Sequence, residues 1–584
     1  MKVGVKIVLS FMLLCSASIF GQAKNEGVYD RFKVLPAEKV YVSMNTTVLL
    51  TGEYLYYKVY CINDKTKQPS ENSKIAYVDL VDESFQPVFS HKIRLENSQG
   101  QGDYFVPTTV PSGNYKLVAY TRWMKNGKKE LFFQEDVSII NPYQTNQDAI
   151  LKVASENTDL VNDVANAEEL IGDKRFVLVT DKENYSKKSK VQLKVKNFRG
   201  ASGYGNYNIS VRKKDTLENA GKYTPEAYLK SHEAVANNTI FYDEIMYGPE
   251  IEGELLKGRL VAIDDESSVI GKKIGLSIPG KDYQLKVVRT DSSGVFHVSI
   301  NKDYTEAVAI IQVLDEPKNA YSIVMEQDKK IDYSFLKFKE FYINASMEDA
   351  IISRSVKNQI ENGFYEVKPD TVRLDLLNDP YGGAYIETVN LDEYTRFKTL
   401  EETVVELVPN VWTKKNKQGE SVFKVRSFDE TYEESEFDAI VYIDGVLIPN
   451  PNEVLDFDTR TVARVNTVRE KYRLGGKTYF GMVNLETING DYFENVRNAD
   501  AIKVGLARTK PNKKYFKQAY TAASDKRVPD FRDQLLWQPN FKFEGTEMEV
   551  SFFTSQVAGD YEILLEGFSI YGRPVAVKQS FHVE

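Results

Sequence analysis

Short apolar runs broken by turn residues recur through this sequence, and that spacing decides which folds are open to it. Val40-Tyr41-Val42, Leu55–Cys61, Ile75–Val81, Val88–Ile93 and Tyr115–Tyr120 follow one another near the start of the chain. Most are close to the ~4–8 residues of a strand and all are too short for a packed helix. Pro111-Ser112-Gly113-Asn114 supplies a turn ahead of the last run. The 36 Tyr and 31 Phe push the same way, since aromatic and β-branched side chains favour pleated surfaces. The pattern predicts antiparallel β-sandwiches.

At 584 residues the chain is too long for one core, because single cores stop growing near ~250–300 residues. Charge argues against nucleic acid as a partner. There are 75 Lys and Arg against 84 Asp and Glu, a net −9 with both signs interspersed, and no basic face to neutralise phosphates. A mean hydropathy of −0.40 argues against a polytopic membrane protein.

Residues 1–23 read as a secretory signal. Lys2 and Lys6 precede an apolar stretch from Ile7 to Phe20, and Gly21-Gln22-Ala23 offers small residues for cleavage. Cys15 lies inside that stretch, which leaves Cys61 as the expected mature thiol and excludes an internal disulfide. Cys61 sits in an alternating run and is expected to be a buried small apolar residue. No other segment approaches a membrane span, so the chain is expected to have no transmembrane span of its own. Together with the family resemblances that follow, the secretory signal implies a location in the periplasm or at the outer-membrane surface of a Gram-negative bacterium.

Several stretches resemble known families. Thr51-Gly52-Glu53-Tyr54-Leu55-Tyr56-Tyr57-Lys58, with Ala76–Leu80 and Pro111–Met124, resembles a macroglobulin-type domain of secreted Bacteroidota proteins, and 24–141 is read as the first such sandwich. Residues 142–172 read as a polar linker. Residues 173–250 read as a second macroglobulin-like sandwich with an irregular excursion. Thr290-Asp291-Ser292-Ser293-Gly294-Val295-Phe296 resembles the turn of a carboxypeptidase-regulatory-like sandwich, placed at 251–345. Asp291 can cap that turn, Gly294 can take positive φ and Phe296 can return to the core.

Residues 365–495 resemble the plug domain of TonB-dependent outer-membrane receptors. A helix is expected over Leu391–Val408, with Leu400, Val404, Leu407 and Val408 on one face and Pro409 ending it. Leu407-Val408-Pro409-Asn410-Val411, Ala439–Val446 and Tyr479–Thr487 carry the resemblance. Residues 496–584 read as a C-terminal macroglobulin-like sandwich. The expected fold class is mainly β: tandem immunoglobulin-like or macroglobulin-like sandwiches plus one α+β plug-like domain.

Chemistry is hard to place on this sequence. A macroglobulin thioester needs Cys beside Gly-Glu-Gln, and no such motif occurs. A TonB-dependent transporter needs a barrel of about 22 strands, and the residues after Asn495 are far too few. His91, His232, His297 and His582 are scattered and lack metal-ligand spacing. Asp264-Asp265-Glu266 and Asp456-Phe457-Asp458 lack an EF-hand spacing and read as turn-capping or solvated carboxylates. The acidic run 429–436 reads as a solvated loop. No catalytic residue, cofactor or metal site is assigned, and the chain is not expected to be an enzyme.

The tyrosines are the remaining candidates. Tyr54, Tyr56 and Tyr60 share one face of a strand, opposite Leu55, Tyr57 and Val59, and mark either a partner surface or packing between domains. Trp123 and Trp537 read as core anchors. The expected function is non-catalytic binding or scaffolding in the envelope, with an outer-membrane or periplasmic protein as partner, such as a β-barrel receptor or assembly machine. The alternative is a macroglobulin-derived protease inhibitor or protease-associated protein without a thioester, using 142–172 or 215–250 as bait.

Overall fold

The computed structural model describes residues 35–151, 175–215, 217, 222–233, 246–264, 266–373, 377–428, 437–494, 501–520 and 527–584. The secretory signal, the acidic run 429–436 and most of the linker 142–172 therefore lie outside the described residues. The fold is mainly β, built from three sandwiches and one α+β module.

The first sandwich pairs Glu38–Met44, Tyr54–Asn63 and Gln99–Phe105 in one sheet. Its second sheet runs Val48–Leu50, Phe133–Ile140, Gly113–Thr121, Ile75–Asp82, Pro87–Arg94. Leu55, Tyr57 and Val59 alternate into the core between the sheets. Gly102 faces Tyr57 across the ladder, and a side chain there would collide with the phenol ring. Cys61 is buried in this core, and burial pushes its thiol well up.

The second sandwich departs from the sequence reading. Residues 173–250 and 496–584 were expected to form separate sandwiches, but the strands within 176–213 and 534–583 form one. Gly205–Lys213 lies between Gln534–Phe543 and Gly559–Phe568, and Lys190–Asn197 pairs with Glu547–Phe553. Val191, Leu193 and Val195 meet Val550 and Phe552 in one core, with Ile209 and Val211 packed against Ile563 and Leu565. The physical reason is edge satisfaction. Both edges of Gly205–Lys213 need ladder partners, and the C-terminal strands supply them.

The third sandwich is split in the same way. Val295–Ile300, Glu254–Ala262 and Tyr321–Glu326 form one sheet. The other contains Gln284–Arg289, Lys273–Ile278, Val308–Val313 and then Ala501–Gly505, a strand expected to belong to the C-terminal unit. At its turn the Asp291 carboxylate accepts from the N–H groups of Ser293 (2.8 Å) and Val295 (2.9 Å), Gly294 has φ 78°, and Phe296 is buried.

The α+β module sits inside the third sandwich in chain order. Its sheet runs Ile386–Asn390, Val462–Leu474, Lys477–Thr487, Ile440–Ile443, Val446–Ile448, with a parallel pairing of Ile440–Ile443 to Lys477–Thr487. The expected helix over 391–408 is shorter than its periodicity suggests, spanning Leu400–Leu407 after an isolated 3-10 turn at Leu391–Glu393. Thr399 stops it from starting earlier: its side chain caps the Glu402 N–H while Glu402 reaches back to the Thr399 N–H. The chain thus nests its modules, with the α+β module inside the third sandwich and both inside the second.

A helix that the sequence reading did not anticipate, Glu348–Gly363, lies between the modules. Its buried face carries Ile351, Arg354 and Ser355, whereas Ile352 and Val356 are 53% and 49% exposed. The inside of this helix mixes Ile351, packed with Val48, Leu50 and Phe341, with the polar Arg354 and Ser355, so hydrophobic periodicity alone does not pick out its buried face.

Candidate functional site

The tyrosine strand Tyr54–Asn63 is covered by the second sandwich, and the cover is what forms the site. Tyr60 is 2% exposed, and its hydroxyl reaches the carbonyls of Asn206 (3.4 Å) and Glu566 (3.3 Å). Gly567, at φ 140°, admits the Tyr60 ring where a side chain would clash. Lys58 on the same strand is buried, and its ammonium donates to the Asn206 carbonyl at 2.8 Å; burial holds it well below the usual lysine range. Glu566 is 2% exposed and accepts from Tyr41, Ser43 and Lys222. Tyr60 is therefore a docking residue between domains.

Tyr54 and Tyr56 are half-buried and line a cleft of about 170 Å³ beside that docking surface. Four parts of the chain wall it: the first sandwich, the helix Glu348–Gly363 with the segment after it, the stretch around Tyr515 and Phe516, and the outer face of the second sandwich. Aromatic rings run along it. Tyr365 stacks on Tyr54 at 6.4 Å, Tyr54 on Tyr56 at 5.6 Å, and Tyr56 on Trp537 at 5.9 Å, with Tyr515 edge-on to Tyr56 at 5.0 Å. Trp537, expected as a core anchor, is instead part of this wall. It lies opposite Ser210 on the sheet face turned away from the core of the second sandwich.

Charges are paired around the rings. The Arg354 guanidinium, 3% exposed, donates Nε to Glu53 Oε1 and Nη2 to Glu53 Oε2, both at 2.7 Å. Its Nη1 reaches Asp215 at 2.7 Å and Nη2 also reaches the Val48 carbonyl at 2.8 Å. Burial disfavours charge on both carboxyls, but Arg354 outweighs it and holds them below the usual carboxylate range. Lys357 holds Asp533 at 2.6 Å, Lys368 holds Glu361 at 2.6 Å, and Arg532 holds Asp530 at 2.6 Å. Burial pushes the Asp370 carboxyl up; it accepts from the Phe516 N–H at 2.8 Å. Sequence reading missed the helix and the polar wall, because their residues lie far apart in the chain and only packing brings them together.

The other candidates fall elsewhere. Asp264 accepts from the N–H groups of Glu266 and Ser267, and Asp458 from Arg460. His91 bonds Tyr57 at 2.8 Å, and burial pushes it down to about 3, while His582 pairs with Asp560 at 2.7 Å. Among the described residues no group of three or more His, Cys, Asp or Glu is placed to hold a metal ion. No helix among them is long and apolar enough to cross a membrane.

No protein-family model matches the chain, and no curated protein matches it. Solved bacterial alpha-2-macroglobulin structures align over 94% of it. They include a Salmonella protein reacted with methylamine (9% identity, TM-score 0.23) and an Escherichia coli protein activated by porcine elastase (9%, TM-score 0.24). The E. coli protein in its native conformation gives 10% identity and a TM-score of 0.23. The chain spans 40%, 44% and 40% of their respective lengths. Identity and TM-score are both low, and the β-sandwich class rests on the strand pairing described above.

Proposed function

We propose that the chain is a non-catalytic binding protein of the Gram-negative envelope, and that the cleft between the first and second sandwiches is its binding site. The observation that carries this reading is the cleft itself: an aromatic row set among side chains most of whose charges are already paired. Paired, oriented charges suit recognition, because fixed polar groups and ring faces set specificity.

The partner is an outer-membrane or periplasmic protein, and the α+β module is a plug-like binding unit. Delivery follows cleavage of residues 1–23. The test is a photo-reactive amino acid at Tyr365, on the cleft rim, in cells of the source organism. A specific envelope protein cross-linked there, and lost when Tyr54→Ala and Tyr56→Ala are combined, supports the reading. No adduct at Tyr365, or one unchanged by those substitutions, removes it. Fractionation that finds the chain in the cytoplasm would remove the location.

A further inference from the structure

Five cationic side chains line the cleft, and four of them hold carboxylates: Arg354, Lys357, Lys368 and Arg532. The fifth, Arg212, makes no hydrogen bond or ion pair among the described residues, and its Nε is buried without a partner. It acts on Glu53 and Asp215 only through space.

Register places two more unpartnered polar atoms beside it. Arg212 lies opposite Gln534, and Ser210 opposite Trp537, with an irregularity in the ladder between Val211 and Arg212. Such a bulge re-aims the side chains next to it. The Gln534 amide nitrogen donates to Ser210 Oγ (3.0 Å), the Val211 carbonyl (3.2 Å) and the Leu536 carbonyl (2.7 Å). The two carbonyls can only accept, which fixes the amide's orientation and leaves its Oε1 as a buried acceptor without a partner. Trp537 is 4% exposed, and its indole N–H is likewise unpartnered. One wall thus presents a guanidinium, an indole donor and an amide acceptor, next to the faces of Tyr56 and Tyr54.

We propose that the cleft binds a carboxylate flanked by an amide N–H and an aromatic side chain: the carboxyl-terminal residue of a peptide, or a free N-acyl amino acid. This rests on the cleft being the binding site. Arg212 takes the carboxylate through its planar fork, the geometry a guanidinium matches best. Gln534 Oε1 accepts the amide N–H, and the ring row takes the side chain. One unpaired cation suits a monoanion. A phosphate brings a second negative charge toward Glu53 and Asp215, which stand close behind Arg212.

The test is calorimetric titration of the full mature chain with N-acetyl-L-phenylalanine, its carboxamide, and a short peptide ending in Phe with a free or amidated carboxyl terminus. The acid forms bind and the amides do not. Arg212→Leu weakens the acid forms about tenfold or more, with an unchanged thermal midpoint as the folding control. Should that variant not fold, Arg212→Gln serves instead, since it removes the charge but keeps a polar side chain, and it is expected to lose the acid probes in the same way. Binding of the free amino acid identifies a small-molecule source, and binding of the peptide alone identifies a protein terminus. Equal affinity for acid and amide, or full affinity in a folded Arg212→Leu chain, overturns the proposal. If neither acid probe binds while the Tyr365 cross-link forms, the proposal falls and the binding reading stands. If the cross-link also fails, both fall.

Discussion

Arg354→Met tests the physics of the cleft most directly. The substitution keeps the volume of the side chain and removes its charge. Four hydrogen bonds go with it: two to Glu53, one to Asp215 and one to the Val48 carbonyl. Removing one partner of a buried ion pair costs about 3–5 kcal/mol, because the other charge is left uncompensated. Two carboxylates share that penalty here, and both regain part of it by taking up a proton, so a loss of about 4 kcal/mol is expected at neutral pH. Arg354→Lys keeps the charge but not the fork, and should lose less. Adding Glu53→Gln to Arg354→Met removes one of the stranded charges and should recover at least about 1 kcal/mol. The assay is denaturant unfolding of all four chains, with hydrogen exchange over Glu348–Gly363 to locate the loss. An Arg354→Met chain within about 0.5 kcal/mol of the parent refutes the reasoning, and so does a double variant no more stable than the single one.

Other outcomes follow from the same structure. Burial pushes Glu135 and Glu250 up to about 7, each against an unfolded value near ~4.3. The folded chain therefore binds more protons between those values, so their stabilisation is present at about pH 4 and is lost as pH rises through 7. The loss is up to roughly 4 kcal/mol each, and Glu135→Gln with Glu250→Gln should flatten the stability profile between pH 5 and 8. Gly567→Ala should weaken docking of the two sandwiches by about 1–3 kcal/mol through its clash with Tyr60, seen as faster exchange along Tyr54–Asn63. Deleting residues 527–584 should leave 175–215 without native protection, since its strands complete their sheets with that segment; a protected 175–215 in the truncated chain would contradict the split sandwich. Cys61 should resist a thiol reagent in the folded chain and react after unfolding.

Much of this protein is legible in the residues alone. Alternation in Leu55–Cys61 fixes which face meets the core, because side chains along a strand alternate at a period of two. Asp291 and Gly294 write their turn locally, and so does the Thr399–Glu402 cap. These are interactions between residues a few positions apart. The β class, and the absence of a thioester motif from this sequence, follow from such local information.

Tertiary structure decided the rest. Nothing in Lys190–Asn197 names Glu547–Phe553 as its neighbour, since any alternating strand would satisfy the same ladder; the choice depends on which edges remain open once the inserted modules have folded. The cleft follows the same rule. Arg354 looks like an ordinary charged residue on a helix that leaves Ile352 and Val356 exposed, and only the approach of Glu53 and Asp215 makes it an inside residue. Tyr54, Tyr56 and Tyr60 could be singled out as one face, but whether that face meets a partner or another domain turns on a contact with residues about five hundred positions away. Separation along the chain carries no energy of its own, so local pattern cannot resolve a choice that burial and pairing make only when the whole chain has closed.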